Sequence, residues 1–172
     1  MRYASMRSMD ISNGEGVGVS LFAQGCHFHC KNCFNSDTWD FSGGKEWTRE
    51  TEDKFMGLVN RPYIKRVSLL GGEPLADENV LDVLHLVNRI KSECPDKMIW
   101  CYSGYTWEQI FPPVTQYLNL SQTEITRQNV VESCDILVDG PFIDEQKSLA
   151  LKFRGSKNQR IIDVATRRKS EA

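Results

Sequence analysis

Apolar residues along this chain follow two alternating patterns. Short apolar runs rich in β-favouring residues predict five strands, at residues 17–23, 67–70, 98–102, 134–138 and 160–164. Between them, apolar residues at helical spacing predict helices over 49–59 and from Asp77 onwards, with weaker helical patterns from Thr106 and over 125–132. Strands that alternate with helices are typical of α/β folds with parallel strands.

The ends of the predicted strands carry distinctive turns. The first strand leads into Gly25-Cys26, the second ends at Gly71-Gly72-Glu73-Pro74, and the fourth ends at Asp139-Gly140-Pro141. Because α/β folds build their sites at the carboxyl ends of parallel strands, these turns are candidates for one functional site. A complete eight-stranded barrel needs at least about 200 residues, so 172 residues favour an incomplete, open (β/α) barrel with mostly parallel strands.

Composition narrows the class of protein. The length corresponds to a single domain over residues 1–172, and 21 Lys and Arg against 23 Asp and Glu give a net charge of −2. With 40% apolar and 26% charged residues, the composition is that of an ordinary globular protein and excludes a disordered chain and a fibrous fold. The charge balance excludes a strongly basic nucleic-acid surface. Neither an apolar run of membrane-spanning length nor a signal peptide is evident, so we expect a cytoplasmic protein without direct contacts to membranes or nucleic acid.

Three of the six cysteines are clustered in the pattern C-x3-C-x2-C, at Cys26, Cys30 and Cys33. An iron-sulfur cluster with four irons and three cysteine ligands keeps one iron open for a substrate or cofactor. The alternative is a zinc site in which His27 or His29 supplies a fourth ligand. The other three cysteines lie singly in apolar surroundings and are expected to be small buried groups: Cys94, Cys101 and Cys134.

The cysteine motif followed by Phe34, together with Gly71-Gly72-Glu73-Pro74, resembles the radical S-adenosylmethionine (SAM) superfamily. The resemblance implies that the three cysteines bind one 4Fe-4S cluster, that SAM chelates the open iron, and that the reduced cluster cleaves SAM to a 5′-deoxyadenosyl radical. No catalytic side chain is implied beyond the cluster and SAM. Asn32 and Cys33 are implied to contact SAM through their main chain. The other residues implied to contact SAM are Phe34, Gly71, Gly72, Glu73, Ser103 and Asp139.

Further segments resemble the small activating component of the anaerobic (class III) ribonucleoside-triphosphate reductases. They are residues 10–16, 33–35, Thr38-Trp39, 103–105, 138–142, 154–156 and Asn158-Gln159. This resemblance implies an activase that forms a glycyl radical on the large reductase subunit, with a flavodoxin or ferredoxin-type protein as electron donor. The alternatives are an activase for another glycyl-radical enzyme, a compact radical SAM enzyme acting on a small molecule, and a zinc-binding module.

For several residues the sequence allows two roles. Asp139 either positions a SAM hydroxyl or ends a strand, and Trp39 and Phe41 either dock the reductase or pack against the cysteine loop. Arg154 and Asn158 either order the SAM side of the barrel or bind the reductase.

Overall fold

The computed structural model describes residues 1–113, 115 and 119–171. Within these residues the elements, in chain order, are β1 (Arg2–Asp10), β2 (Gly18–Ala23), β3 (Lys45–Glu46), α1 (Arg49–Val59), β4 (Arg66–Gly71), α2 (Val80–Glu93), β5 (Met98–Tyr102), α3 (Trp107–Ile110), α4 (Gln122–Glu132), β6 (Ile136–Asp139), β7 (Arg160–Asp163) and α5 (Val164–Glu171).

The described strands form one sheet in the order β3-β1-β2-β4-β5-β6-β7. The central strands β2, β4, β5 and β6 run parallel, and they are the strands that the first four apolar runs predicted. The α/β class is therefore confirmed. The outer strands β1, β3 and β7 pair antiparallel with their neighbours.

The N-terminal hairpin is absent from the sequence-based prediction. β1 precedes the strand predicted to be first and pairs with β2, so that Met6 lies opposite Leu21 and Asp10 opposite Gly18. Its sequence, RYASMRSMD, contains no apolar run, and most of its residues are only partly buried or exposed. A strand near a sheet edge needs few apolar residues, so periodicity carries little signal for it.

Side-chain caps define where α1 and α4 begin, whereas α2 has no such cap. The Thr48 hydroxyl accepts a hydrogen bond from Thr51 N, which starts α1 at the predicted position. A reciprocal capping box between Ser121 and Glu124 starts α4 three residues before the weak helical pattern. α2 begins at Val80 rather than Asp77, because the Asn79 side chain first donates hydrogen bonds to the carbonyls of Gln24 and Glu73.

Alternate residues of the parallel strands divide the two faces of the sheet. One face joins the helices in the apolar core, and it includes Leu21, Leu69, Cys101 and Leu137. On the other face Phe22, Leu70 and Tyr102 line a cavity. Cys94, Cys101 and Cys134 are buried, as predicted. None of the described helices combines the length and the apolar character needed to span a bilayer.

Candidate cluster and cofactor site

A cavity of about 380 Å³ opens at the carboxyl ends of the parallel strands. Its lining brings together most of the residues that the sequence singled out, although they come from separate segments of the chain. These residues are Cys26, Cys30, Cys33, Phe34, Gly71, Gly72, Glu73 and Ser103. The structure therefore brings the strand-end turns together at this cavity.

The cysteine loop is held at both ends by backbone hydrogen bonds. Gly25 N donates to the carbonyl of Thr38 at 2.7 Å, and Cys26 N donates to that of Trp39 at 3.1 Å. Between these anchors the chain reverses through left-handed backbone conformations at His29 (φ 47°) and Asn32 (φ 55°). The anchors and reversals turn all three cysteines toward the cavity.

Cys33 Sγ accepts a hydrogen bond from the backbone N–H of Asn35 at 3.4 Å. Backbone groups of Phe28 and His29 near Cys26, and of Phe142 near Cys30, act to lower the pKa of those two thiols. Burial nevertheless raises the pKa of the Cys26 thiol to about 11. Iron binds the thiolate form, so these cysteines would hold a cluster as thiolates, and the Asn35 N–H would stabilise the charge on the Cys33 sulfur. The donor set matches an iron-sulfur cluster.

Two observations bear on the zinc alternative. In the described part of the chain, no three His, Cys, Asp or Glu side chains converge closely enough to hold one metal ion. Thiolates on three different irons of a cluster lie farther apart than the ligands of a single ion. His27 Nε2 lies 3.0 Å from Glu78, and His29 stacks on Trp39 with ring centroids 4.7 Å apart, so both imidazoles have other partners.

The glycine turn after β4 packs directly on the cysteine loop. A Cβ on Gly72 would lie 2.4 Å from the carbonyl oxygen of Gly25, and Glu73 N donates to that same oxygen at 2.7 Å. Gly71 has a φ of 106°, and a Cβ there would meet Phe22. From the sequence we expected glycine to be needed for close approach of the ligand. In the structure it is needed for the close approach of two protein loops.

Glu73 joins two strand-end turns through its carboxylate. The side chain is only 2% exposed, and it accepts hydrogen bonds from Leu75 N, the Ser103 hydroxyl and Gly104 N at 2.7–2.9 Å. Burial raises the pKa of Glu73 to about 7, while these donors act in the opposite direction. With its oxygens occupied by protein donors, Glu73 fixes the spacing between the β4 and β5 turns.

Two predicted contact residues do not line the cavity. The Asp139 carboxylate accepts hydrogen bonds from Trp107 N at 2.7 Å and from Arg160 Nε at 3.0 Å, which ties β6 to α3 and β7. Asn32 donates to Asp144 at 2.6 Å and so links the cysteine loop to the segment after β6. Of the two interpretations of Asp139, the structure supports the one in which it ends a strand.

The segment between β6 and β7 forms a wall of the cavity that the hydrophobic pattern did not predict. Gln159 holds it together, because Oε1 accepts from Gly155 N at 2.8 Å and Nε2 donates to Gly140 O at 3.0 Å. Arg154 donates to Gln159 O and also lines the cavity, and Asn158 donates to Pro141 O. The sequence signals for this wall were the resemblance segments 138–142, 154–156 and Asn158-Gln159.

Trp39 and Phe41 pack against the cysteine loop. The Phe41 ring covers Gly25 so closely that a Cβ there would lie 2.0 Å from it, and it also contacts the His27 ring. Trp39 stacks on His29 and lines the cavity. These contacts support the packing interpretation over the docking one.

The fold and the three cysteines around one cavity define an iron-sulfur protein with a single cluster, and residues 12–162 match the family model described as a 4Fe-4S single cluster domain. A Vibrio cholerae protein is 40% identical over 163 residues, 94% of this chain and 97% of its own length. A Salmonella typhimurium protein is 41% identical over 161 residues, 92% of this chain and 96% of its own. Both are named anaerobic ribonucleoside-triphosphate reductase-activating protein, as is an Escherichia coli protein at 39% identity over 92% of this chain and 96% of its own length. The chain belongs to this family of activating proteins.

Proposed function

We propose that this chain activates the large subunit of an anaerobic ribonucleoside-triphosphate reductase by generating a glycyl radical on it. The observation that carries the proposal is the meeting of Cys26, Cys30, Cys33 and the Gly71-Gly72 turn in one cavity. The names of relatives at about 40% identity over nearly the whole chain support the reductase as the target.

Different residues of the cavity would bind the cluster and SAM. Cys26, Cys30 and Cys33 would hold one 4Fe-4S cluster, and the neighbouring lining residues would hold SAM beside it: Phe34, Gly71, Gly72 and Ser103. When bound, the reduced cluster supplies one electron that breaks the C5′–S bond of SAM, giving methionine and a 5′-deoxyadenosyl radical that takes a hydrogen atom from the target glycine. The buried Glu73 keeps the two SAM-facing turns at a constant spacing.

The architecture supports an incomplete, open barrel formed by a single domain over residues 1–172. The strand order is linear with β3 and β7 at its two edges, helices cover one face, and the cavity lies against the other. An opening of this kind gives a polypeptide loop of the partner access to the radical source. We further propose that a flavodoxin or ferredoxin-type protein supplies the electron.

The test uses the reconstituted chain together with the reductase. Anaerobic loading with iron and sulfide should give a brown protein that releases 5′-deoxyadenosine and methionine from SAM and a strong reductant. Addition of the reductase should then produce the electron paramagnetic resonance doublet of a glycyl radical. A reductase in which the target glycine is replaced by alanine is the matched control and should give no doublet.

Two results would count against the proposal. A colourless protein that binds zinc instead of iron would exclude the cluster. A protein that cleaves SAM but leaves the reductase without a radical would exclude this partner and favour another glycyl-radical enzyme or a small-molecule substrate.

A further inference from the structure

The cavity wall between β6 and β7 has shorter hydrogen bonds at its base than at its tip, residues 148–151. At the base, Gln159 makes short hydrogen bonds, and Lys147 pairs with Ser156 as an isolated bridge. The backbone hydrogen bonds of the tip are longer, since Ser148 N lies 3.4 Å from Gly155 O and Leu151 N lies 3.4 Å from Ser148 O. The wall is therefore anchored firmly at one end and adaptable at the other.

The tip presents apolar surface beside the mouth of the cavity. Leu149 is 92% exposed, more than any other large apolar side chain among the described residues. Phe34, which lines the cavity, is 59% exposed, and Leu151 and Phe153 of the same wall also line it. Apolar side chains beside a functional opening are typical of a surface that a protein partner covers.

Basic residues predominate in the same segment of the chain. Between residues 145 and 157 the chain has four basic residues and one acidic residue, although its overall net charge is −2. Glu145 is already paired with Lys31 at 3.1 Å, and Lys147 lies over the Phe34 ring. Lys152 and Lys157 are exposed, and within the described residues neither has an acidic partner. Their charge is available to an incoming molecule.

We propose that the outer wall, defined by Leu149, Lys152 and Lys157, is a docking surface for an acidic segment of the large reductase subunit. This rests on the proposed function. Local positive charge on a net negative chain selects a partner surface of the opposite sign and accelerates the encounter. An apolar side chain of the partner covers Leu149 next to the cavity mouth, which guides the target loop toward the radical source.

The test compares charge reversals at the wall with reversals elsewhere. In the cluster-loaded protein, Lys152→Glu with Lys157→Glu should weaken binding to the reductase about 10-fold and reduce the salt dependence of that binding. The matched control is Lys45→Glu with Lys54→Glu, two exposed lysines on β3 and α1, which should bind as the wild type does. Leu149→Ser should weaken binding about 3-fold without changing the salt dependence.

Partner-free SAM cleavage separates docking from a defect in the site. All these variants should cleave SAM at the wild-type rate, because none of the substituted residues lines the cavity. Equal weakening of reductase binding by the two pairs of charge reversals would show an effect of net charge alone and would overturn the proposed docking surface. Unchanged binding of the wall variants, or a loss of SAM cleavage in them, would also overturn it. If the wild type itself neither binds nor activates the reductase, the proposed function fails, and this surface with it.

Discussion

The hydroxyl of Ser103 donates a hydrogen bond of 2.9 Å to the carboxylate of Glu73, and this bond joins the turn after β5 to the turn after β4. The same carboxylate accepts from Gly104 N at 2.7 Å. Three sequence segments thus meet at residue 73, because its carboxylate binds the β5 turn while its backbone N–H donates to Gly25 O of the cysteine loop. The site is therefore expected to respond as a unit when any of its turns is changed.

The buried Glu73 predicts a specific dependence of stability on pH. Its pKa is about 7 in the fold against an ordinary value of 4.5, so between these pH values the folded protein holds a proton that the unfolded chain releases. The contribution of this group to stability is greatest below pH 4.5 and falls by about 3 kcal/mol as the pH rises to about 7. Denaturant unfolding of Glu73→Gln across this range should show a flatter dependence of stability on pH than the wild type. Equal slopes in wild type and Glu73→Gln would assign the dependence to other groups.

The cysteine assignment predicts which thiols carry iron. Cys26→Ala, Cys30→Ala and Cys33→Ala should each lose the stable cluster, because each removes one of three protein ligands. Cys94→Ala should keep it, since Cys94 is buried at the end of α2, away from the cavity lining. Iron and sulfide content after anaerobic reconstitution is the measurement. Loss of iron in Cys94→Ala together with retention in Cys30→Ala would show that the ligand assignment is wrong.

The close contact between Gly72 and Gly25 predicts a structural defect as well as a binding defect. Gly72→Ala places a Cβ against a backbone carbonyl that cannot move alone, so the melting temperature and the cluster content should fall together. Gly57→Ala is the matched control, because a Cβ there meets nothing within 4 Å and Gly57 lies inside α1. This control should stabilise the protein by about 0.5–1 kcal/mol. A stable, cluster-loaded Gly72→Ala with weakened SAM binding alone would favour the ligand as the reason for glycine.

Removal of the Phe41 ring should loosen the cysteine loop. Phe41→Ala uncovers Gly25 and the His27 ring, and we expect a loss of about 1–3 kcal/mol in stability together with lower iron retention. Tyr63→Ala, which removes an exposed ring, should change neither. Calorimetry and iron analysis measure the two effects. If Phe41→Ala has normal stability and iron content but binds the reductase more weakly, the ring contributes to docking instead.

Asp139 is predicted to act on stability rather than on SAM. Asp139→Asn removes the buried partner of Arg160 and leaves an amide facing Trp107 N, which should cost about 2–4 kcal/mol. SAM affinity per folded molecule should stay at the wild-type value in an equilibrium binding measurement. Asp37→Asn, on the exposed surface, should leave both quantities unchanged. A normal melting temperature with weakened SAM binding would assign the Asp139 carboxylate to the cofactor.

The sequence alone determined the four parallel strands, the cysteine loop and the glycine turn, because their signals are local. Apolar runs of strand length, a capping residue such as Thr48 and a C-x3-C-x2-C spacing are each contained within a few residues. The carboxyl-end rule then predicted that the turns would meet, without any knowledge of the sheet order. The N-terminal strand was missed because an outer strand needs no apolar run.

Only the tertiary structure decided which contacts the site residues make. The sequence left the role of the Asp139 side chain open, because a side chain's partner depends on residues that the fold brings together, here Trp107 and Arg160. The cavity wall between β6 and β7 shows no regular pattern of apolar residues in the sequence. It is held by the Gln159 side chain, which bonds to backbone groups up to 19 residues away. Local pattern specifies elements, whereas these long-range bonds arise only when the chain is folded.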